Sequence, residues 1–427
     1  CPMANAHNKS PLEKAADIWG KTDVLSLLAE AAIAIGAGTP TDAGVSWTLN
    51  TSVENPITMG GGVPDPGTLP ATDLQKALSN AVLDTPEETL RYGGVLGFEG
   101  LREELAKRWS AIDGVPLNLD NFITSNGSAG GISNICDAFI EPGDVVIIEA
   151  PSFSGSIRTI RGHMAEIVPV SMDEEGVLVD EAAVIIKQLQ DAGKRVKLFY
   201  TIADFHNPTG VTMSTRRREA LIDLCARNQI LIMEDAAYTD IYFDDAPPPS
   251  LYGLANGQGI LKVGTFSKPI ATGLRIGWVQ GREDFKDAPG TVKDDMGKSP
   301  VVLRALGEYL EKKLLDKHVE AMRPLYKAKC EALCESLEEH CTQYVRFVKP
   351  DGGFFLCVDC IGPKSKDVME HAAKLGLIFP VAAKFFLEQE KDDTSHLRLA
   401  YSTASVDELQ RVGPLMREAF VRALGES

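Results

Sequence analysis

No apolar run in the 427 residues reaches the roughly 18 that a membrane-spanning helix needs. That excludes a helical membrane span from the reading. An excess of positive charge is also missing: 43 Lys and Arg stand against 60 Asp and Glu, for a net charge of −17. A phosphate backbone repels such a surface, so nucleic-acid binding is disfavoured without a segregated basic patch. The short run Arg216-Arg217-Arg218 opens an amphipathic helix and reads as a solvated face. Cys1 to Lys14 are polar and lack a signal-peptide core. A disulfide framework is absent too. The eight cysteines are scattered, mostly through apolar periodic segments where free buried thiols are common. Cys357-Val-Asp-Cys360 has the C-x-x-C form, but it continues a strand-like run that points its sulfurs to opposite faces, so a metal or redox role is not expected. Together these absences imply a reducing, cytosolic compartment. There is no internal repeat and no low-complexity tract.

What is present is alternation. Residues 1–56 read as an arm, with one helix from Ala15 to Ile35 and then a Gly/Thr/Asp-rich loop. From about Ala71 to Gly281, short β-branched runs alternate with amphipathic helices. The predicted strands are Phe122–Ser125, Val145–Glu149, Ile167–Ser171, Val196–Ile202, Ile230–Glu234, Leu261–Thr265 and Ile276–Gln280. Nearly continuous apolar strands separated by helices predict a buried, mostly parallel sheet. Beyond it, the pattern predicts long helices over Val301–Lys317 and Val319–His340. Short strands at Tyr344–Val348, Gly353–Val358 and His396–Tyr401 follow, with a last helix over Val406–Ala423 that Pro414 is expected to kink. The fold class is therefore α/β, a large domain with a mixed, mostly parallel sheet and a smaller α+β domain. The expected division is 1–70 for the arm and a loop joining the small domain, 71–298 for the large domain and 299–427 for the small one.

Four local patterns bear on chemistry. Gly264-Thr-Phe-Ser-Lys268 closes a strand with a lysine beside hydroxyls, and Arg275 opens the next strand seven residues later. A partly desolvated lysine there suits a nucleophilic amine, and the hydroxyls with Arg275 suit a dianionic phosphate. Alone, the fragment fits a solvated loop lysine equally well. Asn207-Pro-Thr-Gly210 follows a strand and is turn chemistry in its own right. Ile230 to Asp235 is a buried strand ending in a carboxylate, with Tyr238 three residues on; by itself, Asp235 reads as a helix cap. Ser125-Asn-Gly-Ser128-Ala129-Gly-Gly131 opens a helix with small residues, as an anion site at a helix N-terminus requires, though a Gly-rich turn is weak evidence alone. Each pattern stands at the C-terminal end of a predicted strand, the edge where open α/β sheets bind ligands.

In this order and combination the chain resembles the fold-type I, pyridoxal 5′-phosphate (PLP)-dependent aminotransferases of class I/II, in particular the α-aminoadipate and kynurenine aminotransferase branch. Further matches extend the resemblance from Ile57 to Ala423: Gly60-Gly-Gly62-Val-Pro-Asp-Pro66, Arg91-Tyr92-Gly93, Glu149-Ala-Pro-Ser-Phe153 and Ser395-His-Leu-Arg398-Leu399. The resemblance implies that Lys268 carries PLP as a Schiff base and moves the proton between Cα and C4′. It implies that Asp235 pairs with the ring nitrogen, and that Asn207 and Tyr238 bond the ring oxygen. Ser128, Ala129, Thr265, Ser267 and Arg275 would hold the phosphate, joined by Tyr92 from the neighbouring subunit of a homodimer. Phe153 would stack on the ring, Gly62 would line the substrate and Arg398 would grip its α-carboxylate. The implied activity moves an amino group from an α-amino acid to a 2-oxo acid. The alternative within the fold is diversion to elimination or replacement, oxidation or cyclisation. A PLP-sensing regulator would add a helix-turn-helix domain in front, for which the arm is too short. The sequence departs from the family pattern at Phe153, where tyrosine is usual, at His206, and at Val381 after Pro380. It also departs at Asp287-Ala-Pro-Gly290, where Pro289 and Gly290 are expected to break a helix.

Overall fold

Uninterrupted β-branched and apolar runs become the central strands of an eight-stranded sheet. The computed structural model describes residues 10–36, 51–293, 295–388, 391 and 393–425. In chain order the strands are β1 (Ile57–Thr58), β2 (Phe122–Ser125), β3 (Val145–Ala150), β4 (Glu166–Asp173), β5 (Gly176–Val177), β6 (Val196–Thr201) and β7 (Leu231–Asp235). They continue as β8 (Ile260–Thr265), β9 (Gly277–Gln280), β10 (Val345–Arg346), β11 (Phe355–Cys360), β12 (Leu377–Ile378) and β13 (His396–Ala400). The large sheet has the order β2-β9-β8-β7-β6-β3-β4-β5. Neighbours from β8 through β4 are parallel, whereas β9 runs antiparallel to both β8 and β2. The C-terminal ends of β2, β3, β6, β7 and β8 therefore share one edge, and β9 starts there.

A second sheet, β10-β11-β13, is antiparallel, and β1 pairs with β12 in parallel. The Ala400 amide bonds the Met59 carbonyl, which lays the segment after β1 alongside β13. Helix Leu314–Cys341 joins the two regions. Leu315, Val319, Met322 and Tyr326 pack with Trp109 and Phe266, whereas Cys330, Leu333, Leu337 and Cys341 pack with Leu356 and Leu399. Helix Pro300–Glu311 packs on helices Ala71–Asp84 and Glu99–Asp113, on the side of the larger sheet.

Several expectations need correction. The single arm helix is two, Pro11–Trp19 and Glu30–Gly36. Gly20 closes the first, and a short 3-10 turn at Val24–Leu27 intervenes. Most of the loop expected after it lies outside the described residues. Pro289 and Gly290 do not break their helix, which runs from Glu283 to Val292. One backbone bond is forfeited at Pro289, but the residue is buried and the helix packs on helix Gly127–Phe139, which offsets it. The kink expected from Pro414 is an interruption at Arg411, which divides the last helix into Val406–Gln410 and Val412–Leu424. The strand expected over Tyr344–Val348 shrinks to Val345–Arg346. No helix follows Asp235 directly, so it caps none. Among the described residues no helix is long and apolar enough to cross a membrane, and seven cysteines are free.

The basic run is not a solvated face. Arg218 is wholly buried and pairs with Asp204 at 2.6 Å, while also donating to the carbonyls of Met213 and Ala203. Its helix turns this one arginine inward while Arg216 stays in water. Removing one partner of a buried pair leaves the other charge uncompensated. Asp204→Ala is therefore expected to destabilise the fold by about 3 kcal/mol, read as a lower midpoint in urea unfolding.

Candidate active site

The sheet edge gathers residues from across the chain. Asp235 is the last residue of β7 and is buried. Its Oδ2 accepts a hydrogen bond from the Tyr200 hydroxyl at 2.8 Å, and Oδ1 is buried with no hydrogen-bond partner. Burial pushes the carboxyl up to about 6, opposed first by the Tyr200 hydrogen bond and then by the Lys268 charge. Lys268 follows β8 by three residues. Its Nζ donates to the Gly62 carbonyl at 2.6 Å and lies 5.5 Å from the centre of the Tyr238 ring. Sequence positions 62, 235, 238 and 268 thus converge.

A second group forms beside them. β2 ends at Ser125, and its hydroxyl bonds the Gly127 carbonyl at the start of helix α1 (Gly127–Phe139), whose first turn carries Ser128 and Ala129. Gly127 has φ 64° and faces Arg275: a Cβ there would stand 3.0 Å from Nη2. Arg275 reaches the Ser267 hydroxyl at 3.4 Å, and Ser267 and Thr265 bond each other at 3.0 Å. Only a glycine fits at 277, where a Cβ would come within 2.5 Å of the Gly127 carbonyl carbon and the Gly264 oxygen. Hydroxyls, a guanidinium and the N-terminal amides of α1 therefore surround one small volume, an arrangement that suits an anion.

Arg398 comes from the other sheet. It is buried on β13, donates to Asn207 Oδ1 at 3.1 Å and to the Gly60 carbonyl, and lies between the rings of Phe355 (4.7 Å) and Phe385 (4.4 Å). Phe153 immediately precedes helix α2 (Ser154–Gly162) after β3 and packs half-buried on the core that contains Tyr200. Tyr92 is apart from all of these, 83% exposed.

Tyr200, Ser156, Phe355 and Phe385 were not among the expected residues. For Tyr200 a signal existed, since it shares the apolar face of Leu198 and Ile202, where a hydroxyl needs a partner. His206, a departure from the family pattern, is fully buried with Nε2 3.3 Å from Glu149 Oε2, just before Asn207.

Residues 56–412 match the family model for aminotransferase class I and II. The chain belongs to this family. It is 29% identical to aromatic-amino-acid aminotransferase 1 of Thermococcus litoralis over 81% of this chain and 84% of that one. It is 27% identical to the uncharacterized HTH-type transcriptional regulator YdfD of Bacillus subtilis, over 76% of this chain and 66% of the regulator. The structure superposes on Pyrococcus horikoshii kynurenine aminotransferase, solved with PMP, with a TM-score of 0.87, 28% identity and coverage of 94% and 98% of the two chains. This aminotransferase is a fold-type I transferase that uses PLP to move an amino group.

Asp235 is costly to the protein that holds it. Its carboxyl binds a proton more tightly folded than unfolded, at about 6 against an ordinary 3.8, so the associated stability is lost as pH rises through about 6. In the cofactor-free protein Asp235→Asn is expected to be the more stable form at pH 7, by about 3 kcal/mol, and the difference is expected to vanish toward pH 4. Urea unfolding at both pH values measures it; no gain at pH 7 would count against the shift.

Proposed function

We propose that Lys268 is the residue that carries PLP and that the substrates are an α-amino acid and a 2-oxo acid. The observation that carries this reading is the convergence of Lys268 on a buried carboxylate, Asp235, one of whose oxygens lacks a partner. The residues present fit the cofactor. Asp235 Oδ1 offers an acceptor for the ring nitrogen, and the Gly127, Ser267 and Arg275 cradle offers donors and positive charge for the phosphate. Thr265, Ser128 and Ala129 complete that cradle, Asn207 and Tyr238 take the ring oxygen, and Phe153 covers the ring face.

When bound, PLP supplies an electron-withdrawing ring that stabilises negative charge at the substrate Cα. Asp235, ionised, keeps the ring nitrogen protonated. Lys268 would hold the cofactor and its amine would carry the proton taken from the substrate Cα, with the nearby Gly62 carbonyl accepting a hydrogen bond from that amine. Arg398 binds the α-carboxylate, with Asn207 and Gly60 holding the guanidinium in place. The rings of Phe355 and Phe385 beside it favour a donor with an aromatic side chain, the class in the Thermococcus relative's name.

The proposal extends to assembly and organisation. Tyr92 would reach the phosphate of a neighbouring subunit in a homodimer, and exposed Leu90 and Met296 flank it in the same groove. The chain would divide into an arm, a PLP-binding domain and a small domain. The packing of helix Pro300–Glu311 argues for moving the second boundary from 299 into helix Leu314–Cys341. Free cysteines support a cytoplasmic setting.

Borohydride reduction of the PLP-loaded protein, followed by peptide mapping, is expected to find the pyridoxyl group on Lys268; a label on another lysine overturns the assignment. Arg398→Lys is expected to weaken α-amino acids by roughly 2–4 kcal/mol, because an ammonium can neither stack flat between two rings nor pair bidentately. Amines without a carboxylate should be far less affected, and PLP content should be unchanged. Equal loss for both classes in a binding titration would remove Arg398 from carboxylate recognition.

A further inference from the structure

We propose that Tyr200, backed by Ser156, is a positioning residue that turns the Asp235 carboxylate so that Oδ1 meets the ring nitrogen of PLP. The inference rests on Asp235 being the partner of that nitrogen. Tyr200 lies one residue before the end of β6, in register with Met233 of β7, and is wholly buried. Its hydroxyl donates to Asp235 Oδ2 at 2.8 Å and accepts from Ser156 Oγ at 2.8 Å. A phenol has one proton and an ionised carboxylate only accepts, so the direction is forced: Ser156 to Tyr200 to Asp235. Burial, and next the Asp235 charge, hold the phenol well above its usual range, so it remains the donor.

The bond has two consequences. It stabilises the ionised carboxylate against burial, and it commits Oδ2, leaving Oδ1 as the oxygen open to a further donor. Rotating the carboxylate away would strand a buried hydroxyl, which is expensive. Ser156 sits in the first turn of α2, where its amide bonds the Phe153 carbonyl at 3.0 Å. One helical turn therefore carries both the aromatic residue at the ring face and the start of the chain of hydroxyls that reaches Asp235.

The test loads wild type, Tyr200→Phe, Ser156→Ala and Asp235→Asn with PLP labelled with 15N at the ring nitrogen, and follows the 15N resonance and turnover at one pH. Wild type is expected at the pyridinium position. In Tyr200→Phe the carboxylate becomes the stronger base and draws the proton, so the resonance moves toward the neutral-pyridine value. Turnover is expected to fall roughly tenfold with little change in KM, the scale of a lost hydrogen bond to a charged group. Ser156→Ala should move the resonance the same way by less. A Tyr200→Phe holoenzyme with the wild-type resonance and a lowered melting temperature would mean that Tyr200 only packs, and the proposal fails. Should Tyr200→Phe not fold or not hold PLP, Ser156→Ala decides, and an unmoved resonance there overturns it. A neutral-pyridine resonance in wild type, or no change in Asp235→Asn, would instead overturn the reading of Asp235.

Discussion

Asp235 ends a central strand with its carboxyl buried and only one oxygen bonded, so the protein around it must supply what water would have given. The cost is visible in the upward displacement of that carboxyl to about 6. What opposes it comes from two directions: a hydroxyl on the adjacent strand and the amine charge of Lys268, one strand over. The site is arranged around this unfinished interaction. In the proposed function a cationic ring nitrogen would complete it, and without one the protein holds a charge it would be more stable without. Such a trade of stability for chemistry is common where a strand end meets a cofactor.

The proposed phosphate cradle poses the opposite electrostatic problem. Arg275, in the left-handed region at φ 54°, brings a fixed positive charge to the first turn of α1, whose amides add to it. Glycine at 127 and 277 lets the helix, β8 and β9 approach closely enough to share that volume. The antiparallel placement of β9 matters here. It starts at the edge where β8 ends, so Lys268 and Arg275, with six residues between them, lie at the same edge of the sheet.

Under the proposed function, substrate recognition depends on a second sheet held against the first. Arg398 approaches from β13 and is fixed by a side chain from the large-sheet region, Asn207, and a carbonyl from the segment after β1. Its guanidinium is buried and lies against the rings of both Phe355 and Phe385. Helix Leu314–Cys341, whose two halves pack in different cores, couples the positions of the two sheets.

The alternation of β-branched runs with amphipathic helices determined the sheet, and strand ends set by local chemistry located Ser128, Asn207, Asp235 and Lys268 at its edge. These were legible because periodicity, glycine and turn residues act over a few neighbouring positions. The burial of Arg218 and the continuity of the helix through Pro289 were not legible. Each follows from what packs against the segment, from elements far along the chain. The same holds within the site. A tyrosine on an apolar strand face signals a need for a partner, but that the partner is Asp235 follows from the parallel register of β6 and β7. Tyr200 and Asp235 are 35 residues apart, as are none of the pairs that local spacing reads. Local chemistry thus determined which residues stand at the edge, and tertiary pairing alone decided which oxygen of Asp235 is left open, because a hydrogen bond depends on distance in space and not along the chain.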